Sequence, residues 1–557
     1  MKRRLPIILC SVLIIACSQK EQYDLLIKNA VIYNGTGDAP FEGMIGVNAD
    51  TIAAVGPSLS GEGKRVIDAG GKAVSPGFIN MLSWATESLI EDGRGMSDLK
   101  QGVTLEVMGE GMSMGPLNES MKTEMLQFQD DIKFNIEWTT LGDYLNFLEE
   151  KGVSPNVASF VGATSVRVHE LGYEDRAPTD TELENMRALV REAMEEGALG
   201  VGSSLIYAPA FYAKTDELIA LCEEAAKFDG LYITHMRSEG NKLLEAVDEV
   251  IRIASQAGID AEIYHLKAGG KNNWPKMDRV IEKIDSARQQ GLNISADMYN
   301  YPAGATGLDA AMPPWVQEGG YDAWKKRLQD PGIRKKVIAE MKTDAMDWEN
   351  LYFSAGDPSR VLFVDFRNDS LRKYTGMNLA EVSAMRGTNP EETIIDLVIQ
   401  DGSRVGTVYF LMSEENIKKQ IALPYISFGS DAGALAAEGI FLNKSTHPRA
   451  YGNVARLLGK YVREEKVISL QEAIRKLTSL SAEKLKIKKR GLLSPGYYAD
   501  MVIFDPDEIS DHATFENPHQ YATGVYDVFV NGEQVLRDGE HTGATPGRFV
   551  KGPGFRE

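Results

Sequence analysis

His235, in LYITHMRSEG, and His265, in AEIYHLKAGG, each close a short apolar, β-rich run that breaks into polar residues. Imidazoles at the carboxyl ends of consecutive strands are how an α/β barrel aims ligands into one mouth, so the pair points to a metal site. Two acidic residues end comparable runs: Glu110 in TLEVMGEGMS and Asp431 in YISFGSDAG. One carboxylate and two imidazoles suit Zn²⁺, with a fourth position left for water or substrate, and Asp431 is then placed to take a proton from the attacking water. Each residue also has a plainer reading. A single histidine at a strand end is commonly a hydrogen-bonded structural group, an Asp after Gly-Ser is commonly a helix cap, and Glu110 could pair with a nearby base.

The elements that must position these residues follow from periodicity. Eight apolar runs (AVSPGFINML, TLEVMGE, NVASFVGA, ALGVGSS, LYITHM, AEIYHL, NISADMY, PYISFGSD) alternate with amphipathic stretches such as ELENMRALVREAMEEG and NKLLEAVDEVIRIASQAG. Strand–helix alternation of this kind implies a (β/α)8 TIM-like barrel, expected over residues 76–487. About 120 residues, 302–422, separate the seventh and eighth runs, too many for a loop; they read as an inserted subdomain, mostly helical but containing RVGTVYFLM. Residues 23–75 and 488–550 have a different texture: short β runs broken by Gly, Asn and Asp. They predict small antiparallel strands that build one β-sandwich domain from both terminal segments.

The 557 residues, 43% hydrophobic, can bury a large core. The formal net charge of −20 excludes a typical nucleic-acid-binding surface, which needs clustered Lys and Arg. Lys2, Arg3 and Arg4 precede an apolar run from Leu5 to Ala16, the layout of a secretory signal and too short to span a bilayer. Ile14-Ile15-Ala16-Cys17 resembles a bacterial lipobox. It implies lipidation of Cys17 after removal of the signal, with residues 1–22 as signal and tether and the protein anchored on the extracytoplasmic side of the cell envelope; a plain signal peptide or an uncleaved anchor is the alternative. Cys222 would then be the only other cysteine of the mature chain, leaving no disulfide framework.

Longer motifs carry a family resemblance over nearly the whole mature chain. SPGFIN, QGVTLEVMGEG, GALGVGSSLIYAP, ITHMRSEG, DMYNYPAGATGL, PPWVQEGG, FGSDAG and HPRAYGNVARLLGKYVREE resemble the amidohydrolase superfamily and, within it, the N-acyl-D-amino-acid deacylases (D-aminoacylases). The resemblance implies a barrel plus small β-domain and hydrolysis of an amide to a carboxylate and a free amino acid. Where most amidohydrolases carry His-x-His after the first strand, this chain has Leu82 and Trp84, neither a metal ligand, so half of a binuclear site is missing and one Zn²⁺ per chain is expected. Glu110 falls where the family has a metal-binding cysteine, making Glu110, His235 and His265 the implied ligands and Asp431 the acid–base residue. By position in the family, Lys267, Tyr207 and Tyr301 are implied to hold the substrate carboxylate. Arg237 with Glu239 is a candidate supporting pair, and His447 a candidate neighbour of the site. The expected partner is a small N-acyl amino acid, with no nucleic acid and membrane contact only through the lipid. Alternatives at this stage are a dipeptidase acting on D-residues, a hydantoinase- or dihydroorotase-like cyclic amidase, or an inactive binding lipoprotein.

Overall fold

The computed structural model describes residues 21–556, so Cys17 and the signal-like segment lie outside the described residues. The eight expected runs form eight barrel strands: Phe78–Asn80, Val103–Met108, Asn156–Ser159 continued by Val161–Gly162, Gly200–Ser204, Leu231–His235, Asp260–Ile263, Ile294–Met298 and Ile426–Phe428. Each pairs in parallel with the next. The ring closes between first and last, where the Met81 N–H donates to the Phe428 carbonyl at 3.1 Å and Ser83 bridges Ala432. Apart from Asp260, every residue of these strands is buried, as a parallel sheet covered on both faces requires; hence the near-continuous apolar runs.

The intervening helices fix the strands by their capping and their apolar stripes. In Asp180–Glu196, Thr179 and Glu182 form a capping box, Met186, Val190, Ala193 and Met194 are buried, and Gly197 ends the helix with φ of 112°. The chain turns there directly into Gly200–Ser204.

The terminal segments share one nine-stranded sheet. Its two halves join where Ala73–Pro76 runs antiparallel to Met501–Phe504. The sheet is mixed rather than wholly antiparallel, because Gln22–Ile32 pairs in parallel with both Glu62–Asp68 and Ala73–Pro76. The inserted segment has its own hydrophobic core, including Leu308, Trp324, Phe363, Val398 and Tyr409. It carries a three-stranded antiparallel sheet of Gly304–Gly307, Val361–Asp365 and Gly406–Tyr409, the last lying within the expected RVGTVYFLM run.

Candidate active site

Glu110 is presented two residues past the second strand by a Gly-Glu-Gly turn. Gly109 and Gly111 have φ of 105° and 68°, and a Cβ on Gly109 would come within 2.3 Å of the Phe160 carbonyl oxygen; only glycine permits this approach. His235 ends the fifth strand, and His265 follows the sixth with φ of 34°, its N–H donating to Asp297 Oδ1 at 2.8 Å. Asp431, past the eighth strand, also has a left-handed φ of 50°, and its N–H donates to the Leu82 carbonyl at 2.9 Å. Such backbone is costly for residues with a Cβ and clusters at functional sites, where surrounding structure holds it.

These turns bring three potential ligand atoms within 4.8 Å of one another, all on buried residues. Glu110 Oε1 lies 3.0 Å from His235 Nδ1 and 3.0 Å from His265 Nε2. The far nitrogens of both rings face one carboxylate: Glu239 Oε1 is 3.0 Å from His265 Nδ1, and its Oε2 is 3.6 Å from His235 Nε2, a buried atom with no hydrogen-bond partner. Two imidazoles converging on one carboxylate oxygen, each backed by an outer carboxylate, form the donor set and support that zinc takes. The residues fit the metal.

Electrostatics separate the acidic groups. Burial pushes the Glu110 carboxyl up, but His265 and His235 more than offset it and hold the acid well below its usual range. Glu239 is likewise held down against its burial by Lys267 and the two histidines. Asp431 is raised above an ordinary carboxyl because burial outweighs the Arg449 guanidinium, whose Nη2 lies 2.8 Å from Asp431 Oδ2. Beside the ligand cluster, then, sits a carboxyl that holds a proton more readily than a surface acid does.

A cavity of about 930 Å³ opens over this cluster and is lined by Glu110, His235, His265, Lys267, Asp431 and Tyr207. Tyr207 stands edge-on to His235, ring centres 5.3 Å apart. Lys267 also reaches it, but its ammonium is already shared between Glu239 Oε1 at 2.5 Å and His265 Nδ1 at 2.8 Å. Tyr301 does not line the cavity. Its hydroxyl donates to Asp511 at 3.4 Å and its ring lies under Arg456, while Tyr299, at the end of the seventh strand, faces the site instead. Arg237 does not pair with Glu239. It pairs with Glu249 at 2.9 Å and caps the Phe211 and Ala213 carbonyls, leaving Glu239 to Lys267. His447 lines the cavity, but burial and Arg449 keep its ring well below its ordinary pKa, and it accepts the Arg449 N–H at 3.0 Å; it shapes the turn that carries Arg449. Arg449 and Trp84 were not singled out as functional from sequence. The sequence signals for them were an arginine in HPRAYG and an aromatic at a vacated ligand position.

Residues 426–536 match the model of an amidohydrolase family. The chain is 30% identical to an N-acyl-D-aspartate deacylase of Alcaligenes xylosoxydans xylosoxydans, over 96% of each chain. It superposes with TM-score 0.79 on a Bordetella bronchiseptica N-acyl-D-glutamate deacylase solved with zinc and a phosphonate mimic of the tetrahedral intermediate, at 27% identity over 95% of this chain and all of that one. A D-aminoacylase structure, described in terms of a binuclear metal centre with one-metal activation and second-metal attenuation, gives TM-score 0.78 at 29% identity, again over 95% and 100%. The protein belongs to the N-acyl-D-amino-acid deacylase (D-aminoacylase) family of metal-dependent amidohydrolases.

Proposed function

We propose that this chain is a zinc hydrolase that splits N-acyl-D-amino acids into a carboxylate and a free D-amino acid, with one zinc per chain held by Glu110, His235 and His265. The observation that carries the reading is the buried cluster of these three residues with Asp431 beside it. Bound there, zinc supplies Lewis acidity for the amide carbonyl and makes the attacking water more acidic. Asp431 receives the water's proton and delivers it to the amide nitrogen, which is too poor a leaving group unprotonated. Arg449, 4.4 Å over the Tyr299 ring, and Lys267, though each is already paired with a carboxylate, put two cations on the cavity wall, the chemistry a substrate carboxylate requires. Leu82 and Trp84 offer no ligand to a second metal, which supports a single ion. The basic, apolar and lipobox-like N-terminal residues support lipidation at Cys17 and a place on the extracytoplasmic side of the cell envelope.

The test is a hydrolysis screen with purified, zinc-loaded protein over N-acyl-D- and N-acyl-L-amino acids, dipeptides ending in a D-residue, and hydantoins. Turnover of N-acyl-D-amino acids, lost with a chelator and restored by zinc, is expected. Preference for L-substrates or for cyclic amides would contradict the assignment.

A further inference from the structure

Trp84 is 40% exposed on the cavity wall, yet its indole N–H is fully committed. It lies 2.9 Å from Glu110 Oε2 and 3.2 Å from Asp431 Oδ1. The backbone fixes this placement on both sides: the Ser83 N–H donates to the Val107 carbonyl of the second strand at 2.8 Å, and the Trp84 N–H donates to the Ala432 carbonyl beyond the eighth at 2.9 Å. The segment is therefore threaded between the two strands that present Glu110 and Asp431. Glu110 Oε1 is turned to the two imidazoles, and Asp431 Oδ2 is turned to Arg449. The remaining oxygens, Oε2 and Oδ1, flank one gap, and the indole N–H fills it.

Two carboxylate oxygens facing one gap need a cation, a proton or a donor between them, since both are acceptors only when ionised. An indole N–H meets that need without adding charge, and it has no lone pair with which to ligate. We propose that Trp84 is a positioning residue that makes this a one-cation site. Its N–H stands where a second cation would have to bridge Glu110 and Asp431, leaves Glu110 only Oε1 for a metal, and keeps Asp431 Oδ1 turned towards the ligand cluster. The inference rests on the one-zinc reading above.

Two variants test it, Trp84→Phe, which keeps an aromatic ring and removes the donor, and Trp84→His, which puts a ligand at the gap; each is titrated with zinc and assayed on the best N-acyl substrate. The parent is expected to saturate at one zinc per chain. Trp84→Phe should keep that zinc while kcat falls roughly 10- to 100-fold, the loss of one hydrogen bond to a charged group, with KM within about threefold. Trp84→His should saturate at two. A Trp84→Phe enzyme with parental kcat, or a Trp84→His enzyme that stops at one zinc, overturns the proposal while an active parent with one zinc leaves the functional assignment standing; a parent that binds two zinc ions with Trp84 in place overturns the one-zinc reading together with the proposal. A parent with neither zinc nor activity overturns both.

Discussion

Glu110 and Asp431 carry the same functional group a few ångströms apart in one cavity, and their surroundings give them opposite tendencies. Two imidazoles hold Glu110 ionised, the state a ligand must have, whereas burial raises Asp431 despite Arg449, the tendency a proton carrier needs. Removing the carboxylate charge of Asp431 while keeping its shape should therefore separate metal binding from turnover. Asp431→Asn is expected to retain zinc by elemental analysis and to lose about 10²- to 10⁴-fold in kcat; activity within tenfold of the parent would remove Asp431 from proton transfer. That His235, His265, Glu110 and Asp431 line one cavity was readable from sequence, because each ends an apolar run whose direction sets where it points. Tyr299 and Tyr301 were not separable that way. They lie just beyond the strand end, where the alternation of faces has stopped, and only the packing of Tyr301 against Asp511 and Arg456 decides between them.

At the scale of elements, the first and eighth strands are tied by Asn80. Its side chain accepts the Ser430 N–H at 2.8 Å, one residue before Asp431, and donates to Glu106 Oε2 at 3.0 Å. Glu106 and nearby Asp98 are buried carboxyls inside this seam. Burial raises Glu106 from 4.5 to about 7 against its bonds to Ser83 and Asn80, and burial together with Glu106 raises Asp98 well above the ordinary value. A folded-state pKa above the unfolded one means that the native state binds the proton more tightly, so the contribution to stability is fully present below pH 4.5 and lost as pH rises through about 7. Glu106→Gln, which stays neutral, should gain in Tm relative to the parent between pH 5 and pH 8. A Tm difference that stays flat across that range would contradict the raised pKa. The eight strands were readable because parallel barrel strands are apolar throughout, but these interior carboxyls were not. Glu106 sits mid-run in TLEVM and gives no local sign that Asn80 faces it from the first strand and that Asp98, in the helix Met96–Leu99, lies close by.

At the scale of the molecule, one barrel carries two additions with different reach. The nine-stranded terminal sheet grips the amino end of the third strand, where Asn531 donates to Asn156 at 2.8 Å, far from the ligands. The inserted subdomain supplies cavity wall, including Thr306, Asp309, Arg404 and Tyr409, so substrate choice has a structural home there. That division was readable from the change of texture along the chain. The cavity wall was not, because it depends on how the insert folds back over the mouth. Among the described residues no helix is long and apolar enough to cross a membrane, and the proposed anchor is Cys17. Cys17→Ser should move the protein from the membrane to the soluble fraction on cell fractionation; a variant that stays membrane-bound would rule out lipidation as the attachment. The claim on which the whole account depends is that Glu110, His235 and His265 hold one catalytic zinc. Its most direct test is zinc per chain in Glu110→Ala beside the parent, each assayed on the same N-acyl-D-amino acid. The account predicts about one zinc and chelator-sensitive turnover in the parent, with both lost together in the variant. A zinc-replete, active Glu110→Ala enzyme would contradict it.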